Sequence, residues 1–136
     1  MSIKLNPYLN FNGDTKEAME FYKSVFGGEL TLSTFGENPG MPVPPGYEDK
    51  IMHASLDSDE ITLMASEGRP GEEVKVGNNV NLSLSGNDHD KLTAIFEKLA
   101  EGGQVTMPLA TQSWGDVFGM CVDKYSINWL VNINKA

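Results

Sequence analysis

The sequence predicts an α+β fold in which a βαβββ unit occurs twice, forming curved mixed sheets around a cavity with the helices on the outer faces. Three observations predict it: two similar amphipathic helices that each end at a pair of glycines, a matching strand–turn–strand segment after each helix, and a short strand before each helix. The 136 residues suffice for a single domain with a buried core. We divide this domain into two modules, residues 1–76 and 77–136.

The two helices are the most similar parts of the repeat, since residues 14–31 resemble residues 88–106. Each segment places apolar residues on one face at helical spacing. These residues are Ala18, Phe21, Tyr22 and Val25 in the first segment and Leu92, Ile95, Phe96 and Leu99 in the second. The glycine pairs at 27–28 and 102–103 predict the helix ends, because glycine accepts the left-handed conformation that caps a helix.

The flanking strands repeat as well. Residues 53–64 align with 119–130 without a gap, and residues 8–14 align with 81–87. An insertion at residues 36–49 separates the second and third strands of the first module and contains four prolines. Prolines favour extended or turn backbone, and we interpret the insertion as a flap over the cavity or, equally, as a partner contact.

Alternation along four predicted strands, 8–12, 61–66, 80–85 and 127–132, separates two faces. One face is apolar and should pack on the helix. We place Val80 and Leu82 on it, and also Met52 and Ala54 from the strand that carries His53. The other face is polar but mostly uncharged in both modules. Such a face is typical of a cavity wall that mixes apolar surface with a few polar groups. An ordinary half-exposed antiparallel sheet is the alternative.

Composition limits the classes of partner. The net charge is −9, from 10 Lys and Arg against 19 Asp and Glu, so we expect neither a nucleic-acid partner nor an anionic membrane surface, since both need concentrated positive charge. The single cysteine, Cys121, rules out an internal disulfide. The N-terminal residues do not resemble a signal peptide, and no apolar run approaches the roughly 20 residues that span a bilayer. We therefore expect a cytoplasmic protein.

Several segments resemble the PhnB-like branch of the vicinal oxygen chelate superfamily, which includes glyoxalases, bleomycin resistance proteins and dioxygenases. They are "PYLNF", "EAMEFYKSVFGGE", "KIMHASL", "MASE", "NNVNLSLS", "FEKLAEGGQVTMPL" and "SWGDVFGMCVDKYSINWLVN". The resemblance covers nearly the whole chain and implies the duplicated βαβββ fold. It also implies a homodimer, an expectation that agrees with sheet edges that need cover.

The same resemblance implies divalent metal ligands, usually His and Glu, on the first and last strand of each module. The positions that look equivalent lie near Pro7, Met64, Asn81 and Leu130, and none of these four is a ligand for such an ion. We therefore predict no metal and no other cofactor. Members of this branch are often labelled 3-demethylubiquinone methyltransferase domains, but the chain has no glycine-rich strand-to-helix turn for an adenosyl cofactor.

The predicted ligand-binding residues lie on the polar faces or at their rim: Asn10, His53, Ser55, Met64, Asn81, Ser83, Trp114 and Asn128. His53 is the one candidate for acid–base chemistry, although a histidine satisfied by a structural neighbour is the alternative. We expect His89, in the first turn of an exposed helix, to be inert. Trp114 could cover the pocket, fill a dimer seam or pack in the core.

Two classes of function follow. The first is a protein that binds a small molecule in the sheet-lined cavity without a metal. The second is an enzyme, either a metal-dependent lyase, transferase or dioxygenase of the superfamily, or a metal-free enzyme that uses His53 as acid or base. A metal-dependent enzyme of the second class could hold its ion at a different place, with His53 and Glu67 as ligands. For Glu67 we prefer another interpretation, an exposed carboxylate at the start of a loop.

Overall fold

The computed structural model describes residues 3–38, 40, 43–68 and 72–135. They divide into two compact units, residues 1–75 and 76–136, and each is described by itself. Pro39, Met41 and Pro42 of the inserted loop lie outside the described residues. Across the described ranges, no helix is long and apolar enough to cross a membrane.

The first unit is a four-stranded sheet with one helix. Its elements are β1 (Tyr8–Phe11), α1 (Thr15–Phe26), β2 (Glu29–Thr34), a 3-10 turn (Phe35–Glu37), β3 (Ile51–Asp57) and β4 (Thr62–Glu67). The strand order is β1-β4-β3-β2. β1 runs parallel to β4, whereas β3 is antiparallel to both β2 and β4. The sheet is therefore mixed, and α1 packs on one of its faces against β2, β3 and β4.

The second unit repeats this arrangement. Its elements are β5 (Leu82–Gly86), α2 (His89–Ala100), β6 (Gln104–Thr111), β7 (Val117–Val122) and β8 (Asn128–Ile133), in the sheet order β5-β8-β7-β6. β5 is parallel to β8, and β7 is antiparallel to its two neighbours. The predicted α+β class with a duplicated βαβββ unit is confirmed.

The apolar stripes predicted for the helices form the cores of the two units. In α2 all four predicted residues are buried. In α1 the predicted Ala18, Tyr22 and Val25 are buried, while Phe21 is only half-buried. The buried stripe of α1 also includes Met19 and Thr15, which are fully buried and were not predicted.

The glycine pairs end the helices and also let two backbones approach. A Cβ on Gly28 would lie 2.3 Å from the carbonyl oxygen of Asp57, and one on Gly103 would lie 2.1 Å from that of Val122. Both distances are shorter than any real contact, so each second glycine is required by close packing of the chain against the end of a strand. Gly27 and Gly102 have positive φ, as expected for helix-ending glycines.

A buried carboxylate organises the last hairpin. Asp123 is 3% exposed and accepts hydrogen bonds from the backbone N–H groups of Tyr125 and Ile127. Its second oxygen accepts the indole N–H of Trp129 at 2.8 Å. Trp129 is 1% exposed, so a buried charge and a buried ring satisfy each other in the core of the second unit.

Three local expectations were wrong. Val80 is 67% exposed and Asn81 precedes β5, since β5 begins only at Leu82. A register shift between Ser33 and Thr34 displaces the start of β3, so that Ile51 rather than Met52 is buried. The inserted loop was expected to have extended or turn backbone, but it begins with one turn of 3-10 helix. The Thr34–Glu37 capping box favours this helical backbone despite the nearby prolines.

Candidate functional site

The face of the first sheet opposite α1 carries the side chains of the candidate site. Strand register aligns Tyr8 with Met64 and Met64 with Ser55 in one row. A second row contains Asn10 beside Ser66 and His53 beside Ser33. We call this surface the open face; its members are Tyr8, Asn10, Ser33, His53, Ser55, Met64 and Ser66.

Parity along β3 explains why His53 lies there. Its neighbours Ala54 and Leu56 are fully buried against the helix, whereas His53 and Ser55 are half-buried. Successive side chains of a strand point to opposite faces, so His53 and Ser55 lie on the open face.

Tyr8 and His53 form the central contact of the open face. The hydroxyl of Tyr8 lies 3.3 Å from Nδ1 of His53, and the two ring centroids are 5.9 Å apart. The direction of this hydrogen bond depends on the histidine tautomer: neutral Nδ1 accepts the phenol proton, and protonated Nδ1 donates to the phenol oxygen. The pair can therefore share one exchangeable proton on the open face.

Uncharged hydrogen bonds fix the surrounding polar groups. Ser66 donates to the amide oxygen of Asn10 at 3.2 Å and is only 8% exposed. Asn38, from the 3-10 turn, donates to the hydroxyl of Ser33 at 3.0 Å and to the carbonyl of Thr34 at 2.8 Å. These contacts hold short amides and hydroxyls in fixed positions, which would lower the ordering cost of binding a molecule there.

Four predicted ligand residues, Asn10, His53, Ser55 and Met64, share the open face. The other four belong to the second unit. Asn81 and Ser83 are exposed. Asn128 donates to the carbonyls of Gly77 and Val80 at 3.0 and 3.4 Å; its amide thus fastens the segment that leads into β5.

Trp114 lies in the turn between β6 and β7 and is 57% exposed. Its ring packs edge-on against Phe118, with 6.3 Å between centroids. Trp114 therefore does not belong to the buried core, so one of the three roles considered for it is excluded.

The second sheet departs from the predicted polar face. Gly119 and Cys121 of β7 are buried on the helix side, so Phe118, Met120 and Val122 lie on the opposite face. There they neighbour Asn132, Leu130 and Asn128 of β8, respectively. That face is consequently apolar along β7, one of the two central strands. The predicted Ser83, Ser85, Asn128 and Asn132 do lie on it, so the expectation of a polar face holds for β5 and β8 and fails for β7.

The ligand residues predicted from the sequence leave out three members or neighbours of the open face. Tyr8 and Ser66 were expected on the polar face from their parity, and they could have been included among the ligand residues on that signal alone. Asn38 could not, because it reaches Ser33 only through the 3-10 turn.

Glu67 corrects a further expectation. It is 7% exposed and is therefore not an exposed loop carboxylate. Glu67 alternates along β4 with the buried residues Leu63 and Ala65, so it lies on the helix side of the strand. Its Oε1 accepts the backbone N–H groups of Gly13 at 3.1 Å and Thr15 at 3.4 Å, and the Thr15 hydroxyl at 2.5 Å. The carboxylate thus caps α1, a role that Asp14 does not fill with its own side chain.

These positions decide how a divalent metal would fit. Among the described residues, no three His, Cys, Asp or Glu side chains are grouped as metal ligands. His53 has Tyr8 as its polar neighbour, and Glu67 is engaged on the helix side of β4. The open face presents one imidazole among amides, hydroxyls and a thioether. The carboxylate of Asp57 lies at the end of β3 on the same face and accepts hydrogen bonds from Ser55 and Thr62. One imidazole and one engaged carboxylate do not make a donor set that suits such an ion.

The sequence matches the 3-demethylubiquinone-9 3-methyltransferase family over residues 3–132. Protein YjdN of Escherichia coli (strain K12) is 27% identical over 146 aligned residues, which cover 98% of this chain and 97% of YjdN. These matches extend over both units.

Solved structures agree with this similarity. Protein PA1353 from Pseudomonas aeruginosa is 35% identical with a TM-score of 0.84, covering 99% of this chain and 100% of PA1353. The PhnB protein from Bacillus cereus is 26% identical with a TM-score of 0.77, covering 97% and 100%. A glyoxylase/bleomycin resistance protein/dioxygenase domain from Frankia sp. EAN1pec shares 15% identity, a TM-score of 0.65 and 99% of each chain, which is a likeness in fold alone.

Proposed function

Because the chain belongs to the 3-demethylubiquinone-9 3-methyltransferase family and has a PhnB protein among its structural relatives, we propose that it binds a small, weakly polar molecule on the open face of its first sheet without a metal ion. The contact between Tyr8 and His53, set among the uncharged groups of Asn10, Ser33 and Ser66, is the observation that carries this proposal. Around this contact the surface offers directed hydrogen bonds from uncharged groups, and the Asp57 carboxylate lies at its margin, at the end of β3. Uncharged groups of this kind suit a neutral ligand.

The family description alone does not support methyl transfer. The strand-to-helix connections span residues 12–14 and 87–88 and contain a single glycine between them. The glycine-rich turn that lets a backbone approach a nucleotide cofactor is missing from both. Family membership therefore supports the fold of the chain, and we infer its binding chemistry from the side chains of the open face.

Native mass spectrometry of freshly purified protein tests the binding proposal. We expect a retained small molecule on the wild type and on His89→Gln, and its loss from His53→Gln. His89 is a matched control because it is exposed at the start of α2 and makes only a 4.0 Å approach to Asp90. Equal retention by both variants would place the ligand elsewhere.

Elemental analysis tests the metal-free part of the proposal. We expect no stoichiometric divalent metal, since the open face lacks the necessary donors. One zinc, nickel, manganese or iron ion per chain, removed by a chelator together with an activity, would contradict it.

A second candidate is a metal-free acid–base enzyme, favoured by the 3.3 Å approach of the Tyr8 hydroxyl to the His53 ring. An enzyme of this kind would need both the Tyr8 hydroxyl and the His53 imidazole for proton transfer. A binding protein would need the two groups only as hydrogen-bonding partners of the ligand. Tyr8→Phe separates the two, because it keeps the ring and removes the hydroxyl. Retained ligand with abolished turnover would favour the enzyme.

We also propose a homodimer. Support comes from β6, an edge strand of the second sheet that exposes Val105 and Met107 by 44% and 41%. Apolar edge strands need cover. Light scattering at micromolar concentration should give twice the 14.9 kDa chain mass, and a mass near that of one chain would count against the proposal.

A further inference from the structure

A cleft of about 230 Å³ lies in the first unit, beyond the ends of β1 and β4. Its polar lining comes from Asn12, Tyr47, Lys50, Glu67 and Glu72. The cleft is separate from the open face, because Glu67 lies on the helix side of β4. None of the ligand residues predicted from the sequence lines it.

Glu67 gives the cleft a built-in acceptor. The side chain is more than nine-tenths buried, and Oε1 takes all three of its hydrogen bonds from Gly13 and Thr15. Oε2 accepts no hydrogen bond from any described residue. Among the described residues, the one fully buried side-chain oxygen without a partner belongs to Thr93, so Oε2 of Glu67 keeps some access to solvent. Because Glu67 lines the cleft, a donor group that enters it can form a charge-assisted hydrogen bond with this oxygen.

Lys50 supplies the opposite charge. Its half-buried side chain makes no hydrogen bond or ion pair with the described residues, and it remains more than 4.0 Å from the Glu67 carboxylate. A Cβ on Gly13 would lie 3.8 Å from the Lys50 Nζ atom, an ordinary contact distance. Gly13 and Lys50 both line the cleft, so the ammonium group lies at its wall.

Tyr47 closes one side of the cleft. Its hydroxyl donates to the carbonyl of Gly68, and its ring packs edge-on against the buried Phe35 with 4.9 Å between centroids. Burial, and then the negative charge of Glu67, raises the pKa of Tyr47 above its usual value. The phenol stays protonated, and its oxygen can still accept a hydrogen bond from a ligand.

We propose that this cleft binds a small zwitterion of the amino-acid class, with its ammonium group on Glu67 and its carboxylate on Lys50. A lone cation would meet the charge of Lys50, and a lone anion would meet those of Glu67 and Glu72. A molecule carrying both groups satisfies both partners. The volume is below the roughly 300 Å³ at which pockets for drug-sized ligands begin, which restricts the ligand to a few heavy atoms.

Three probes of nearly equal size test the assignment: L-alanine, ethylammonium, which lacks the carboxylate, and propionate, which lacks the ammonium group. Each is titrated at constant ionic strength while amide NMR signals of Gly13 and Gly68 are followed. Saturable shifts should appear with alanine at a Kd at least about tenfold lower than with either analogue, or about 1.4 kcal/mol. Absence of saturable shifts with alanine, or equal binding of an analogue, would overturn the proposal.

Lys50→Met then identifies the carboxylate partner, because it keeps an unbranched side chain as far as Cε and removes the ammonium group. Alanine should bind this variant no better than ethylammonium does. Lys98→Met is the matched control, since Lys98 is exposed on α2 of the other unit, and it should bind alanine like the wild type. Unchanged alanine binding by Lys50→Met would remove Lys50 from the site and refute the zwitterion.

Discussion

Glu67, the last residue of β4, caps α1 through a 2.5 Å hydrogen bond from the Thr15 hydroxyl and two longer ones from backbone N–H groups. The second helix is capped locally instead, because Asp88 accepts the N–H of Lys91 at 3.1 Å. The two units therefore have similar folds but different devices at the start of their helices. In the first unit the cap also ties the helix to the end of a strand.

This difference predicts unequal effects of removing the caps. Glu67→Ala leaves three donors without an acceptor, one of them the fully buried Thr15 hydroxyl, and should cost about 3 kcal/mol of unfolding free energy. Asp88→Ala exposes one N–H to water and should cost about 1 kcal/mol. Urea unfolding of both variants measures the difference. Equal losses would show that the long-range cap has no special weight.

The second glycine of each pair makes a steric prediction. Gly103→Ala should destabilise the fold by about 3 kcal/mol, because the new methyl group cannot coexist with the carbonyl of Val122 without a backbone shift. Gly77→Ala is the control within the same unit, since its Cβ would meet only the Asn79 side chain at an ordinary 3.6 Å. It should change stability by less than about 0.5 kcal/mol. Thermal unfolding of the two variants provides the comparison, and a mild effect at Gly103 would contradict the close approach.

The helices and glycine pairs were predictable because they depend on local periodicity and on caps within a few residues. The start of β5 was not. Apolar and polar residues alternate from Val80 onwards, but the Asn128 amide holds the carbonyl of Val80 outside the ladder. The Glu67 cap was also hidden, since its partner Thr15 lies 52 residues away.

The apolar side chains that β7 adds to the face opposite α2 were missed for another physical reason. β7 reads "VFGMCV" and has no polar alternation that could reveal which side is open. A central strand with a partner on each side often reads in this way. In the first sheet, small polar residues alternate with buried ones. The sequence therefore predicts the face on which Asn10 and His53 lie. The contact of Tyr8 with His53 depends on tertiary placement and could not be predicted.

The two tryptophans offer a matched pair. Trp129→Phe removes the indole N–H that Asp123 accepts at 2.8 Å and leaves space in the core. We expect a loss of about 3 kcal/mol. Trp114→Phe alters a ring that is 57% exposed and should change stability by less than about 0.5 kcal/mol. Chemical denaturation followed by circular dichroism checks both, because fluorescence would itself change with the substitutions. A larger loss at Trp114 would contradict the positions described for the two rings.

The last prediction concerns His53 and separates a functional histidine from a structural one. His53→Gln keeps a hydrogen-bonding group near the Tyr8 hydroxyl but cannot gain a proton near neutral pH. Because the contact is 3.3 Å long and exposed to solvent, its loss should cost less than about 1 kcal/mol of unfolding free energy. Ligand retention per folded molecule should nevertheless fall.

Tyr8→Phe in the same assay identifies which partner the ligand uses. If the ligand bonds to the imidazole, Tyr8→Phe should weaken retention less than His53→Gln does, since the ring nitrogens remain. His89→Gln supplies the baseline for a histidine on an exposed helix end. A drop in stability at His53 as large as that at Glu67, with retention unchanged, would make His53 a structural residue. The open face would then keep its other members as candidates for contact with a ligand: Tyr8, Asn10, Ser33, Ser55, Met64 and Ser66.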